Sequence, residues 1–498
     1  MDLFQNLIFG FGVAVSLQNL LYCFIGVLLG TLIGVLPGVG PLATIAMLLP
    51  LTFSISPVAA MIMLAGIYYG AQYGGSTTAI LVNLPGETSA VVTCIDGYQM
   101  ARQGRAGPAL AIAAIGSFFA GTVGTLLIAL FGPPLAEIAL EFASPEYFSL
   151  MLMGLIAAAL LAQGDMMKSL AMVALGLLLG IVGTDVNSGA HRFSFGIIEL
   201  SDGIGFIVIA VGIFAIGEIV SNLGDPEQRS VFTAKLRHLY PTREDLKRSV
   251  GPVVRGTILG SFFGVLPGTG PAIASFSSYM LEKKLAKDPS RFGRGAIEGV
   301  AGPESANNAD AQCKFIPMLT LGLPASGVMA LMLGALTIQG IQPGPQVMTQ
   351  KPDLFWGLIA SMWIGNLMLV VLNLPLVGVW VRLLQVPYRF LFPAIMAFSA
   401  IGVYSVNNSP FEIYLTALFG ILGFIWMKLG FSLAPMLLGF VLGPMMEENL
   451  RRSLLTSRGD PTVFLTRPLS LGFIVATVLI VIIMVAPAVR RRRAVITD

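Results

Sequence analysis

The sequence predicts an all-α polytopic membrane protein of about 12 transmembrane helices plus re-entrant or broken helices, built as two inverted repeats. Three observations predict it. Of the 498 residues, 55% are hydrophobic and only 11% charged, with a mean hydropathy of +0.84. Soluble domains carry about 25% charged residues, so most of this surface meets lipid rather than water. Apolar stretches of spanning or near-spanning length recur along the chain, and the octamer GVLPG-x-GP occurs twice, at residues 34–41 and 264–271.

The apolar stretches fall at 18–36, 57–84, 108–132, 147–163, 169–183 and 203–222, then at 251–266, 308–338, 354–380, 391–405, 411–427, 431–446 and 469–489. The longest strongly charged stretch, 223–250, separates the two runs. The predicted divisions are therefore 1–222 (first membrane repeat), 223–250 (cytoplasmic linker), 251–446 (second membrane repeat) and 447–498. The last division holds an extra-membrane loop, a final transmembrane helix and a basic tail with Arg490, Arg491, Arg492 and Arg493. The positive-inside rule places linker and tail in the cytoplasm. MDLFQNLIFG has no Lys or Arg before its apolar run, so it lacks the basic n-region of a cleavable signal and reads as part of the mature protein.

The repeat extends beyond the octamer. Asn83-Leu84-Pro85-Gly86 is echoed by Gly322-Leu323-Pro324-Ala325 at a similar offset. Charge makes the repeats inverted. Lys247, Arg248 and Arg255 precede the second octamer and Lys283, Lys284, Lys287, Arg291 and Arg294 follow it, so both ends belong in the cytoplasm. Arms of about 15 residues around Pro267-Gly268 are too short to span, and the segment reads as a re-entrant hairpin. The first octamer is flanked by segments without Lys or Arg, so its hairpin enters from outside. Residues 96–107 read as cytoplasmic and 339–353 as external. Residues 447–468 conflict: they carry Arg451, Arg452, Arg458 and Arg467, yet the count of spans puts them outside.

Three segments could carry chemistry. Pro37-Gly38-Val39-Gly40-Pro41 cannot stay helical, since proline removes a donor and clashes with the preceding turn. The same holds for Gly268-Thr269-Gly270-Pro271. Broken backbone at membrane depth survives only against protein or a water-filled cavity, and freed N–H groups at a helix start bind anions. The competing reading is a pair of proline kinks that pack helices closely. The second segment holds Ser76, Thr77, Thr78 and Asn83, neutral donors suited to a carboxylate; small-residue helix packing is its alternative. The third runs from Glu304 to Lys314. Asn307, Asn308 and Asp310 are ligand candidates for substrate or a coupling cation, with Asn308 and Asp310 the cation pair, and Lys314 lies i+4 from Asp310. Its alternative is a cytoplasmic loop that ends just before the membrane.

Other classes find no support in the residues. A net charge of +3 and no basic stripe with aromatics give no nucleic-acid surface. Cys23, Cys94 and Cys313 form no CxxC pair, and two histidines make no metal motif, so no metal beyond Na⁺ is expected. No paired membrane aspartates or Ser/His dyad indicates an intramembrane enzyme, and no GxxxxGK[ST] P-loop indicates ATP. No cofactor is expected.

GVLPGVGP with the following PLTF, YYGAQYGGSTTAILVNLPGE, the second GVLPGTGP and ANNADAQCKFIPMLTLGLPAS resemble the large membrane subunit of tripartite tricarboxylate transporters, the TctA family. The resemblance covers nearly the whole chain. It implies a bacterial inner-membrane protein that works with a small membrane subunit of about four spans and a periplasmic solute-binding protein. It also implies cation-driven uptake of citrate or a related carboxylate.

The expectation is a secondary transporter with a carboxylate site near the midplane, driven by Na⁺ or H⁺. Backbone at Gly38, Val39, Gly40, Gly268, Thr269 and Gly270 supplies N–H donors. Ser76, Thr77, Thr78 and Asn83 complete the site from one repeat, and Asn307, Asn308 and Asp310 from the other. The alternative is a passive pore for organic anions, whose flux ignores the cation gradient.

Overall fold

A computed structural model describes residues 3–36, 40–162, 165–185, 188–222, 240–383 and 388–497. Gly38 and Val39 lie outside the described residues, as does most of the linker. The described chain is helical apart from a two-stranded ribbon, β1 (Gly183–Thr184) with β2 (His191–Arg192).

The first half opens with α1 (Leu3–Ala14), α2 (Leu17–Val35), α3 (Pro41–Leu48) and α4 (Pro57–Val82). It continues through α5 (Val91–Arg102), α6 (Ala106–Leu140), α7 (Ser144–Leu161), α8 (Met166–Gly180), α9 (Phe206–Ala210) and α10 (Gly217–Asn222). The second half begins with α11 (Arg243–Val265), α12 (Pro271–Leu285), α13 (Glu298–Cys313), α14 (Phe315–Leu321) and α15 (Gly327–Ile338). Beyond α16 (Gln346–Gln350) come α17 (Pro352–Asn373), α18 (Val377–Leu383), α19 (Tyr388–Asn407), α20 (Pro410–Lys428), α21 (Ala434–Thr456), α22 (Val463–Thr466) and α23 (Pro468–Thr497). Among the described residues, 5 helices are long and apolar enough to cross a membrane: α2, α6, α7, α17 and α20. Shorter apolar helices of 10–17 residues accompany them.

Both octamers break a helix where proline demands it. α2 ends at Val35 and α3 restarts with Pro41 at its first position, where a missing N–H costs nothing. α11 ends at Val265 and α12 restarts with Pro271. The Asn83-Leu84-Pro85-Gly86 and Gly322-Leu323-Pro324-Ala325 echoes also match. α4 ends on Asn83 at φ 59° and α14 ends on Gly322 at φ 68°, both left-handed, which lets the chain leave the helix sharply.

Three expectations change, and one alternative reading falls. The apolar stretch 308–338 is not one span but α13, α14 and α15, interrupted at residues 322–326. Residues 304–314 are not a loop; they lie in or directly beside α13 and are buried throughout. The first arm of the second hairpin, α11, runs 23 residues rather than about 15. A capping box starts it early, as Thr242 Oγ1 accepts from Asp245 N–H at 3.1 Å and Asp245 Oδ2 accepts from Thr242 N–H at 3.1 Å. Finally, residues 447–456 continue α21 instead of opening a loop.

The basic cluster of that last segment is compensated. Arg451 pairs with Asp185 at 3.1 Å and with Glu447 at 2.7 Å, while Arg192 joins the same two carboxylates. Arg467 pairs with the buried Glu146. Asp185 and Arg192 thus lie against the last turns of α21, within the segment that the span count puts outside. Arg192 still pairs with both carboxylates when Arg451 is removed, so Arg451→Ala is expected to change stability by under about 1 kcal/mol in a thermal unfolding assay.

The most intimate packing joins α2 to α4 and α11 to α13, and glycine permits it. A Cβ on Gly26, Gly30 or Gly34 would lie 2.3–2.5 Å from the carbonyl oxygens of Met63, Ile67 and Ala71. On Gly256, Gly260 or Gly264 it would lie 2.1–2.6 Å from those of Gly302, Ala306 and Asp310. Glycine at every fourth position clears one helix face, and two backbones meet there.

Asp96 fastens the two halves of the chain. Its Oδ1 accepts N–H bonds from Gly293 (2.9 Å), Gly295 (2.8 Å) and Ala296 (2.9 Å), and its Oδ2 accepts from Tyr279 Oη at 2.9 Å. Asp96→Ala strips four donors of one acceptor. Amide hydrogen exchange at residues 293–296 is expected to rise by an order of magnitude or more, at about 1–3 kcal/mol per buried group left unsatisfied.

Candidate functional site

α4 and α13 cross as an antiparallel pair: Ser76 meets Glu304, while Tyr68, two turns earlier, neighbours Asp310. Polar residues of both helices meet on this seam. Ser76 Oγ donates to Glu304 Oε2 at 2.5 Å, and Thr93 Oγ1 donates to Glu304 Oε1. Asn307 Nδ2 donates to Glu87 Oε1 at 3.2 Å, and Ser89 Oγ bonds the same oxygen and Gln72 Oε1. Asn308 Nδ2 donates to Ser117 Oγ at 2.7 Å and to its own helix at Glu304 O at 3.0 Å. Lys314 Nζ bonds Asp310 Oδ2, and both side chains are 0% exposed, so the i, i+4 pair read from the sequence forms.

The charge balance defines what the seam can bind. Among the described residues, Glu87, Glu304 and Asp310 face one cation, Lys314. Ionisable groups within a membrane are costly and are retained where an ion or proton is handled. Asn307 Oδ1, Asp310 Oδ1 and Gln312 Oε1 are buried oxygens without a hydrogen-bond partner among the described residues. Asn307 and Asp310 lie one turn apart on α13, and amide and carboxylate oxygens are ligands for hard cations. No group of three or more His, Cys, Asp or Glu converges as a metal centre among the described residues. A single aspartate with neutral oxygens suits a monovalent cation or a proton.

The remaining candidates divide. Ser76 and Thr77 line a cavity of about 10 Å³ with Tyr73, Ser117 and Asn373, at the lower limit of room for one water. Thr78 Oγ1 bonds the carbonyls of Gly34, Val35 and Gly74 and secures the end of α2. Asn83 is exposed at the end of α4. Thr269 Oγ1 closes the end of α11 on Phe263 O (2.5 Å) and Leu266 O (2.8 Å). Gly268 N–H donates to Ala325 O at 3.0 Å, and its φ of +81° and an ideal Cβ 2.4 Å from Ala158 Cα exclude any side chain. Gly270 has open space where a Cβ would sit, while Gly40 N–H bonds the Glu218 carboxylate.

The two breaks approach the seam through these two echoes. Gly86 packs against Gly34 at the end of α2 and leads into Glu87. Ala325 receives Gly268 and leads into Ser326, which hydrogen-bonds Tyr68. Glu304, Gln72 and the acidic role of Glu87 are not readable from local spacing. Their partners lie far away in sequence, and the one signal was an acidic residue one turn before Asn308.

A helical bundle that interrupts its helices at depth and buries carboxylates along the crossing of two of them defines a multi-spanning membrane protein of the transporter class. The model of the Tripartite tricarboxylate transporter TctA family matches residues 20–438, and the chain belongs to that family. It is thus a component of a tricarboxylate transporter with partner subunits. Two proteins of Agrobacterium vitis are similar to it. One, an uncharacterized 52.8 kDa protein in the TAR-I ttuC' 3' region, is 59% identical over 493 residues, 99% of this chain and 98% of that protein. The other, an uncharacterized protein in the TAR-II ttuC' 3' region, is 58% identical over 234 residues, 47% of this chain and 97% of that protein. No solved structure matches the chain.

Proposed function

We propose that this protein is the large membrane subunit of a secondary active importer for a tricarboxylate, such as citrate, or a related organic carboxylate. A Na⁺ or H⁺ gradient drives it. It lies in a bacterial inner membrane with its C-terminus in the cytoplasm, beside a small subunit of about four helices, and receives substrate from a periplasmic binding protein. The α2–α4 and α11–α14 segments are the cores of two inverted repeats. Backbone donors at Gly38 and Gly270 grip the substrate carboxylate, and Asp310 with Asn307 and Asn308 handles the coupling cation.

The observation that carries this reading is the acidic seam between α4 and α13, with Asp310 and Glu304 fully buried. A passive pore has no need of such groups, whereas ion coupling requires a site that binds a cation inside the protein. The test is uptake of labelled citrate by vesicles holding both membrane subunits, with the binding protein supplied. Uptake should follow an imposed Na⁺ or proton gradient and stop when it collapses. Flux indifferent to both gradients refutes coupling.

Two variants localise the function. Glu304→Gln weakens the charge-assisted bonds from Ser76 and Thr93, worth about 1.5–3 kcal/mol. Uptake at a subsaturating cation concentration should fall by about 10–100-fold while the folded yield is kept. Gly270→Leu, at a position with open space for a side chain, should abolish uptake while the folded yield is kept; normal transport by this variant would misplace the substrate pocket.

A further inference from the structure

A furrow along α11 and α12 has features that the transport reading does not use. One face of α11 presents Arg248, Pro252, Arg255, Leu259 and Phe263 at intervals of three and four residues, a single helical stripe. Its first part lines a cleft of about 470 Å³ with Glu282, Lys287 and Arg291. Its second part lines a groove of about 660 Å³ with Ser277, Met280, Leu281, Lys283 and Lys284. The groove is almost wholly apolar, and Met280 is 62% exposed within it. Basic residues crowd one end. Arg255 is paired with Glu282 and Arg291 with Glu298, but Lys283 and Lys284 are exposed and form no ion pair among the described residues.

An apolar channel that ends in unpaired ammonium groups fits a molecule with an anionic head and long hydrocarbon tails. We propose that this furrow is a binding site for an anionic glycerophospholipid, its phosphate held by Lys283 and Lys284 and its acyl chains laid over Leu259, Phe263, Met280 and Leu281. Charge complementarity selects the lipid: basic pockets beside membrane helices hold acidic head groups, and a zwitterionic head offers the lysines no net charge. The site lies on the second hairpin, apart from the seam.

The full chain in mild detergent is mixed with phosphatidylglycerol, phosphatidylcholine or inorganic phosphate, and retained lipid is counted by native mass spectrometry beside thermal unfolding. Phosphatidylglycerol should remain bound and raise the unfolding temperature by several degrees, with phosphatidylcholine and phosphate inert. The K283Q/K284Q double variant, folded and with an intact seam, should lose at least ten-fold in phosphatidylglycerol retention. Equal retention by variant and parent overturns the proposal, as does equal retention of the two lipids or a phosphate effect matching that of phosphatidylglycerol. A photo-crosslinking residue at Met280 should label lipid in native membranes. A defined protein adduct there would assign the furrow to a partner subunit instead.

Discussion

Asp310→Ala is expected to lose both folded protein and transport, and the two losses should separate in a double variant. Lys314 and Asp310 are each 0% exposed, and no other acidic side chain bonds Lys314 among the described residues. Removing one member of such a pair leaves an uncompensated charge away from water, at a cost of about 3–5 kcal/mol. Fluorescence-detected size exclusion after a heating series should show an earlier collapse of the Asp310→Ala peak. Replacing both partners with apolar residues removes the desolvated charges together and is often neutral. Asp310→Ala with Lys314→Met should therefore recover most of the lost thermal stability. If Asp310 handles the coupling ion, that restored protein still fails to import substrate against a gradient. Full transport by the double variant would remove Asp310 from the ion path.

The second large effect concerns the glycine faces. A methyl on Gly260 would stand 2.1 Å from Ala306 O, and one on Gly34 would stand 2.3 Å from Ala71 O. Those neighbours are backbone, so no rotamer change relieves the clash; the helices must separate. Overpacking typically costs about 1–3 kcal/mol, and immovable partners place these sites at the top of that range or above it. Gly260→Val and Gly34→Val are expected to give little or no folded protein in detergent. Gly12→Ala is the matched control, since nothing lies within 4 Å of its Cβ position. Normal yield from both valine variants would mean that the helix contacts are looser than described.

The two helix breaks were legible because proline is a local signal: Pro41 and Pro271 restart helices whichever partners they meet. The Asp310–Lys314 pair was legible for the same reason, its spacing being one helical turn. The Glu304 network was not. Ser76 and Thr93 lie 228 and 211 residues from it, and only the crossing of α4 with α13 brings them together. The spacing of four at Gly26, Gly30, Gly34 and again at Gly256, Gly260, Gly264 marks a glycine face on each helix, but which backbone meets that face depends on partners distant in sequence. The start of α11 was missed because a charged stretch resembles a linker, while the Thr242–Asp245 cap makes a helix of its last part.

The four bonds at Asp96 have a mechanical consequence. α5 follows α4 in the chain, and residues 293–296 lead directly into α13. The carboxylate therefore ties the sequence-distant sides of the seam at one point, while Ser76 and Glu304 tie them at another. Sliding one helix past the other would break both ties. A displacement that preserves them carries α4, α5 and α13 as a single rigid block, with the buried carboxylates Glu87, Glu304 and Asp310 as passengers whose mutual distances stay fixed.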